Sequence, residues 1–385
     1  TALGHQALTL NTTGANNTSV GNDSLKVNTT GDYNVAVGSL ALDANTTADQ
    51  NTALGYIALT ANSTGANNTA VGSGSLAANT TASSNTAVGQ LALNANTTGG
   101  LNTAVGHEAL DVNTTGEKAV AVGASALGSN TTGVRNCAVG YVALLANTTG
   151  DYNTGIGNLA LYANTTASNN TAIGYNSLGA NTTGDSNTAV SALCMQSTTT
   201  GTNNVAVGVR SLDTNTTGHN NTAVGSYSLR YSTTAANNTA CGHSAASSIT
   251  TGTYNTAIGY QALSGLTTGI YNTALGYETM ENLTTGSQNI AIGREAGKYI
   301  TTGDYNISIG SIANGWTTTD KTGDFNIHIG YATNPSAAGV DNEIVIATGN
   351  DGSTGKGTGT MWVDNIGNGA YQSNNSSSWS TTSDR

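Results

Sequence analysis

Asp32 and Asp49 occupy the same position in two successive copies of a repeated phrase. Two carboxylates held one copy apart would lie near the separation of about 5 Å that a retaining glycosidase uses. The flanking copies carry Ala15 and Ala66 there, and no aromatic cleft accompanies the pair, so a solvated turn is the simpler reading. Thr-Gly-Asn-Asp-Gly at 348–352 has the acid and glycine content of one calcium-binding turn, but such turns complete their coordination only in stacked copies. Histidines scatter over variable positions without a paired Ser or Cys or a metal-ligand spacing. Cys137, Cys194 and Cys241 stand where other copies carry Thr, Ala or Ser, and Val, Ile or Leu, and read as small fillers. The expectation is a protein without catalytic residues, metal or cofactor.

Binding is better represented than catalysis. Tyr56, Tyr141, Tyr175, Tyr260 and Tyr277 share one variable column with His5, His107 and His243, and Tyr33, Tyr152, Tyr254, Tyr271 and Tyr305 share another. Exposed aromatic rings suit sugar faces and protein partners, and these columns are the candidate contact surface. The competing reading is an aromatic rim that covers the edges of stacked coils. The many Asn-Thr-Thr triplets match the N-glycosylation pattern but coincide with a turn of the repeat itself.

The element that positions these columns is the repeat. A glycine recurs every seventeen residues from Gly4 to Gly310, and of nineteen such positions only Ser191 is not glycine. So strict a period marks a solenoid, in which each coil buries its apolar face against its neighbours. The consensus N-T-A-V-G-x-x-A-L-x-x-N-T-T-G-x-x is too short and too rich in Gly, Asn and Thr for helices. We therefore expect an all-β, parallel β-solenoid (a β-roll or β-helix) with two or three short strands per coil.

The aliphatic column Leu3, Val20, Val37, Leu54 and the leucine column Leu8, Leu25, Leu42, Leu59 are expected to line the interior. Strand neighbours point to opposite faces, so the small column beside the valines, mostly Ala, should look outward. A face kept small implies close side-by-side packing, as in a parallel homotrimer. Asn17, Asn34, Asn51 and Asn68 begin a column with one exception, Ala119, and can form a hydrogen-bonded ladder. Thr13, Thr30, Thr47 and Thr64 begin a column without exception, and threonine arrays also raise an ice-binding solenoid as a third reading.

Composition sets the remaining bounds. With ten Lys and Arg against twenty-one Asp and Glu the net charge is -11, which leaves no basic stripe for nucleic acid. No stretch approaches transmembrane length, so membrane insertion is not expected. The period breaks late, where Asn306 is followed by Asn326, and the chain becomes rich in Gly, Ser and Asn from Gly349. The organisation expected is a repeat shaft over 1–313, irregular capping coils over 314–350, and a connector over 351–385. Because the chain starts inside a repeat, it reads as a fragment.

Two resemblances follow from these residues. The coil phrase Asn68 to Gly72, N-T-A-V-G, resembles the head coils of trimeric autotransporter adhesins, with a departure in coil length. The run Ser378 to Arg385, S-W-S-T-T-S-D-R, resembles the beginning of the endosialidase-type intramolecular chaperone that follows phage tail fibres. The second resemblance implies a homotrimeric tail-fibre shaft, self-cleavage at Ser383–Asp384, a host-surface glycan or protein as receptor, and other virion tail proteins as partners. It places the chain in the virion; the first would place it on a bacterial cell surface.

Overall fold

Each copy of the phrase forms one three-residue strand, such as Thr52–Leu54, Thr69–Val71 and Thr86–Val88. The strand stops at the glycine for a steric reason. Gly38 has φ 138°, and a Cβ there would lie 2.3 Å from the Gly55 carbonyl oxygen one coil on. The computed structural model describes residues 1–315, 321–348, 353–364, 369–372, 378 and 380–381. It is a parallel β-solenoid of about 21 coils of roughly 17 residues, and no helix occurs among the described residues.

One strand per coil, rather than two or three, corrects the expectation. The rest of each coil turns too sharply to be extended. Tyr33, Leu40 and Leu42 within one coil have φ of 58°, 57° and 53°, a left-handed conformation that side chains seldom adopt. Hydrogen bonding between coils continues through these turns, as in Leu42 N to Ala58 O at 3.0 Å and Thr29 N to Thr46 O at 2.8 Å. Backbone groups are thereby paired without a second strand.

The described residues fall into two units, Thr1–Ala192 and Leu193–Arg385. In the first, strands from Ala2–Leu3 to Thr188–Val190 pair in parallel and in register, Thr69 with Thr86 and Thr86 with Thr103. In the second, the ladder runs from Val205–Val207 to Met361–Asp364, with Ile307 paired to Ile327 across the longer interval. Within 314–350, Ile327–Gly330 and Ile344–Ala347 thus continue the parallel pairing. Antiparallel strands Ala370–Gln372 and Ser380–Thr381 close this ladder.

The interior inverts part of the sequence reading. Leu25, Leu42 and Leu59 are fully buried as expected, but so are Ala36, Ala53 and Ala70, whereas Val88, Val105 and Val122 are exposed. Alternation separated the two strand faces correctly and hydrophobicity assigned them wrongly. The seventeen-residue coils keep this wall small, whereas the later coils admit larger residues on it, with His328, Val345 and Trp362 buried in register. At Gly155, which replaces an alanine of this column, an added Cβ would already lie 3.3 Å from the Ala160 carbonyl oxygen and 3.3 Å from Leu144. Small residues are therefore the inner wall, and Thr and Val, Ile or Leu at the first and third strand positions face outward.

Candidate functional site

Two asparagine columns join coil to coil, the first along most of the repeats and the second as an unbroken amide chain from Asn11 to Asn181. Asn34 is buried; its Oδ1 accepts from the Asn51 backbone N at 3.0 Å and its Nδ2 donates to the Ala48 carbonyl at 2.8 Å. Asn17, Asn51 and Asn68 repeat this pattern, with Nδ2 donating to the carbonyls of Gly31, Gly65 and Ala82. The second column is the Asn of the Asn-Thr-Thr triplets, whose role goes beyond the turn that the repeat alone suggests. Asn45 Nδ2 donates to Asn28 Oδ1 at 2.8 Å, and Asn62 and Asn79 continue the amide chain at 3.1 and 2.8 Å. The signal that could have found it is its period, shared with the first column. These asparagines are 0% exposed, so in the folded coils they cannot carry a glycan.

The threonine hydroxyl ladder runs one residue earlier than Thr13, Thr30, Thr47 and Thr64, whose side chains are exposed. Thr12 and Thr29 donate through Oγ1 to the carbonyls of Thr29 and Thr46 at 2.8 and 3.0 Å. Glu343 takes the asparagine position two coils after Asn306. It is fully buried, and its carboxylate accepts from Ser336 N at 2.9 Å and Gly357 N at 2.6 Å.

The aromatic columns divide into isolated rings and stacks. Tyr56, Tyr141, Tyr175 and His107 are exposed and have non-aromatic neighbours in their column. His243, Tyr260 and Tyr277 come together: His243 stacks on Tyr260 with centroids 5.6 Å apart, and Tyr260 on Tyr277 at 5.2 Å. Tyr227 meets His243 edge-on at 5.6 Å, and Arg230 lies over the Tyr227 and Tyr231 rings. In the other column Tyr254 stacks on Tyr271 at 5.0 Å and Tyr305 on Phe325 at 4.7 Å. Arg135 covers the Tyr152 ring and bonds its hydroxyl.

The paired carboxylates serve the backbone. Asp32 Oδ1 accepts from Ala15 N at 2.6 Å and Asp49 Oδ1 from Asp32 N at 2.7 Å, the same bond that Asp304 makes to Ser287 N. This arrangement accounts for aspartate in that column without invoking glycoside hydrolysis. Cys137, Cys194 and Cys241 form no disulfide; Cys241 is exposed on the outward strand face, and Cys194 is buried with its Sγ donating to the Ala206 carbonyl at 3.2 Å. Among the described residues no group of three His, Cys, Asp or Glu side chains could hold a metal ion. Gly349 to Gly352 of the calcium-type turn, and the Ser383–Asp384 junction, lie outside the described residues.

One buried polar group stands apart. His328 replaces alanine on the inner wall, is fully buried, and leaves both ring nitrogens without a hydrogen bond. Burial, and then the nearby Lys321 charge, push its pKa down to about 3, so the ring is neutral. Lys321 is itself buried, donates to the Asn314 carbonyl at 3.0 Å, and has a pKa lowered to about 8 by burial.

Compared with known protein families and with curated proteins, the chain matches none.

Proposed function

We propose that this chain is a structural and adhesive fibre segment of a phage tail, assembled as a parallel homotrimer that carries a host-recognition surface. The observation that supports it best is the outward strand face. From Thr18 to Val363, its first and third strand positions hold no charged residue. Toward the C-terminal end it becomes wholly aliphatic: Ile290, Ile292, Ile309 and Ile329 are 40, 38, 37 and 37% exposed. A contiguous apolar surface of this kind marks an interaction site, and a second copy with the same uncharged face and the same period is complementary to it.

Trimerisation multiplies every weak contact along the coil edges into firm attachment. The likeness of Ser378 to Arg385 to the start of a tail-fibre chaperone supports the phage setting, and the N-T-A-V-G coil supports the second reading, a bacterial surface adhesin. The ice-binding reading needs two threonines per coil facing water in register, and the unbroken Thr13 column offers one, because the neighbouring Thr12 and Thr29 hydroxyls are committed to carbonyls of the next coil.

The test is mass. Light scattering of the purified chain should give three times 38.4 kDa, with covalent dimers through outward Cys241 on mild oxidation. A monomer at micromolar concentration, with Cys241 unreactive toward its copies, sinks the assembly reading.

A further inference from the structure

We propose that Tyr271 and Tyr305 form a clasp for one neutral pyranose ring. The proposal deepens the adhesive reading above and rests on it. The column Tyr254, Tyr271, Gln288, Tyr305, Phe325 is an aromatic stack with one ring missing. Tyr254 and Tyr271 lie nearly parallel, 5.0 Å apart with 9° between planes, and Tyr305 and Phe325 lie 4.7 Å apart with 5° between planes. Gln288 occupies the coil between the two pairs, and its side chain is exposed.

At the coil spacing of about 4.8 Å, Tyr271 and Tyr305 stand about 9.6 Å apart. A ring entering midway would lie about 5 Å from each centroid, within the stacking range of about 4.5–7 Å. Each wall is held from behind by another ring, so little ordering is required on binding. This distinguishes the gap from the closed stack of His243, Tyr260 and Tyr277, where each interior ring face is already covered.

The rim specifies a sugar. Gln288 offers a carboxamide with both a donor and an acceptor, and Asp304 commits Oδ1 to Ser287 N, leaving its second oxygen to accept from a hydroxyl. A pyranose has C–H faces for the tyrosines and a hydroxyl rim for these groups. A nucleobase would bring phosphates toward Asp304, Asp324 and Asp341, which share one column, in a chain of net charge -11. The same order, tyrosine, carboxamide, tyrosine, recurs in the first unit at Tyr141, Asn158 and Tyr175, with both tyrosines exposed and neither braced.

Retention of the full chain on a printed array of neutral bacterial O-chains, dextran and cellohexaose tests the proposal. Tyr271→Ala and Tyr305→Ala should each weaken retention about tenfold, the size of one aromatic contact. Gln288→Tyr should abolish it while raising the melting temperature, because it completes the stack. Tyr162→Ala, at an exposed tyrosine outside both aromatic columns, should leave retention unchanged. Wild-type chain that binds no glycan overturns the clasp, and the adhesive reading falls with it only if intact bacterial cells fail to retain the chain as well. Wild-type chain that binds while Tyr271→Ala, Tyr305→Ala and Gln288→Tyr bind equally well overturns the clasp alone.

Discussion

Replacing Asn62 with alanine should cost about 3–4 kcal/mol, which is large for a residue in a turn. The side chain donates to Asn45 Oδ1 at 3.1 Å and to the Gly65 carbonyl at 2.9 Å, and accepts from Asn79 Nδ2 at 2.8 Å. Each such bond contributes roughly 0.5–1.5 kcal/mol net, and losing all three strands buried partners as well. Thr64, two residues on, is exposed, and Thr64→Ala should change stability by less than about 0.5 kcal/mol. Native-state hydrogen exchange is the assay, because coils depend on their neighbours and the loss should be concentrated around the altered coil. Asn62→Asp adds a sign test. A carboxylate facing two acceptors has its folded pKa raised above the unfolded value, so the penalty is complete above the folded pKa. It disappears below the unfolded pKa, and this variant should regain stability as pH falls. If Asn62→Ala and Thr64→Ala prove equivalent within 1 kcal/mol, the amide chain is not what joins the coils.

Three further outcomes follow from the geometry. Ser191 replaces the column glycine at φ 127°, so Ser191→Gly should stabilise by about 1–2 kcal/mol, seen as a higher melting temperature; an unchanged value would mean the serine is unstrained. Ala104 is fully buried and Val105 is 36% exposed, so Ala104→Val should cost about 1–3 kcal/mol by overpacking while Val105→Thr is nearly neutral in the isolated chain; the reverse order would restore the valine column to the interior. His328 binds a proton in the unfolded chain below its ordinary 6.5 but in the folded chain only near 3, so stability is present above 6.5 and lost as pH falls through that window. By pH 4 the loss should reach about 3 kcal/mol by urea unfolding, His328→Ala should be spared that part of it, and equal acid sensitivity in both chains would refute the assignment.

Fold class was legible because the glycine period is a backbone fact. A residue with φ near 138°, at which a Cβ would lie 2.3 Å from the next coil's carbonyl oxygen, as at Gly38, strongly favours glycine and recurs wherever the coil repeats. The number of strands was not legible, since nothing in Leu40 or Leu42 announces φ of 57° and 53°. Those conformations arise from closing a narrow coil, not from local preference. The inside and outside of the strand were confused for a related reason. Burial of apolar area favours Val over Ala, but in the repeat coils the inner wall is limited by volume, and larger side chains enter it in the late coils, at His328, Val345 and Trp362.

Reversing the faces changes what the surface can do. Had Ala faced outward, association would rest on close approach alone, and the coil edges would be the only chemically varied surface. With Thr, Val and Ile outward, the strand face is itself a long uncharged contact surface, and no column on it varies enough to recognise a receptor. Variation is confined to the turns, where the aromatic columns stand. On the proposed reading, assembly falls on the strand positions and recognition on the turn column, whose Tyr271, Gln288 and Tyr305 come two residues before the outward Thr273, Ile290 and Ile307. Substitutions at Ile290 or Ile309 should then change mass without changing the affinity of a single clasp, and substitutions at Tyr271 should do the opposite.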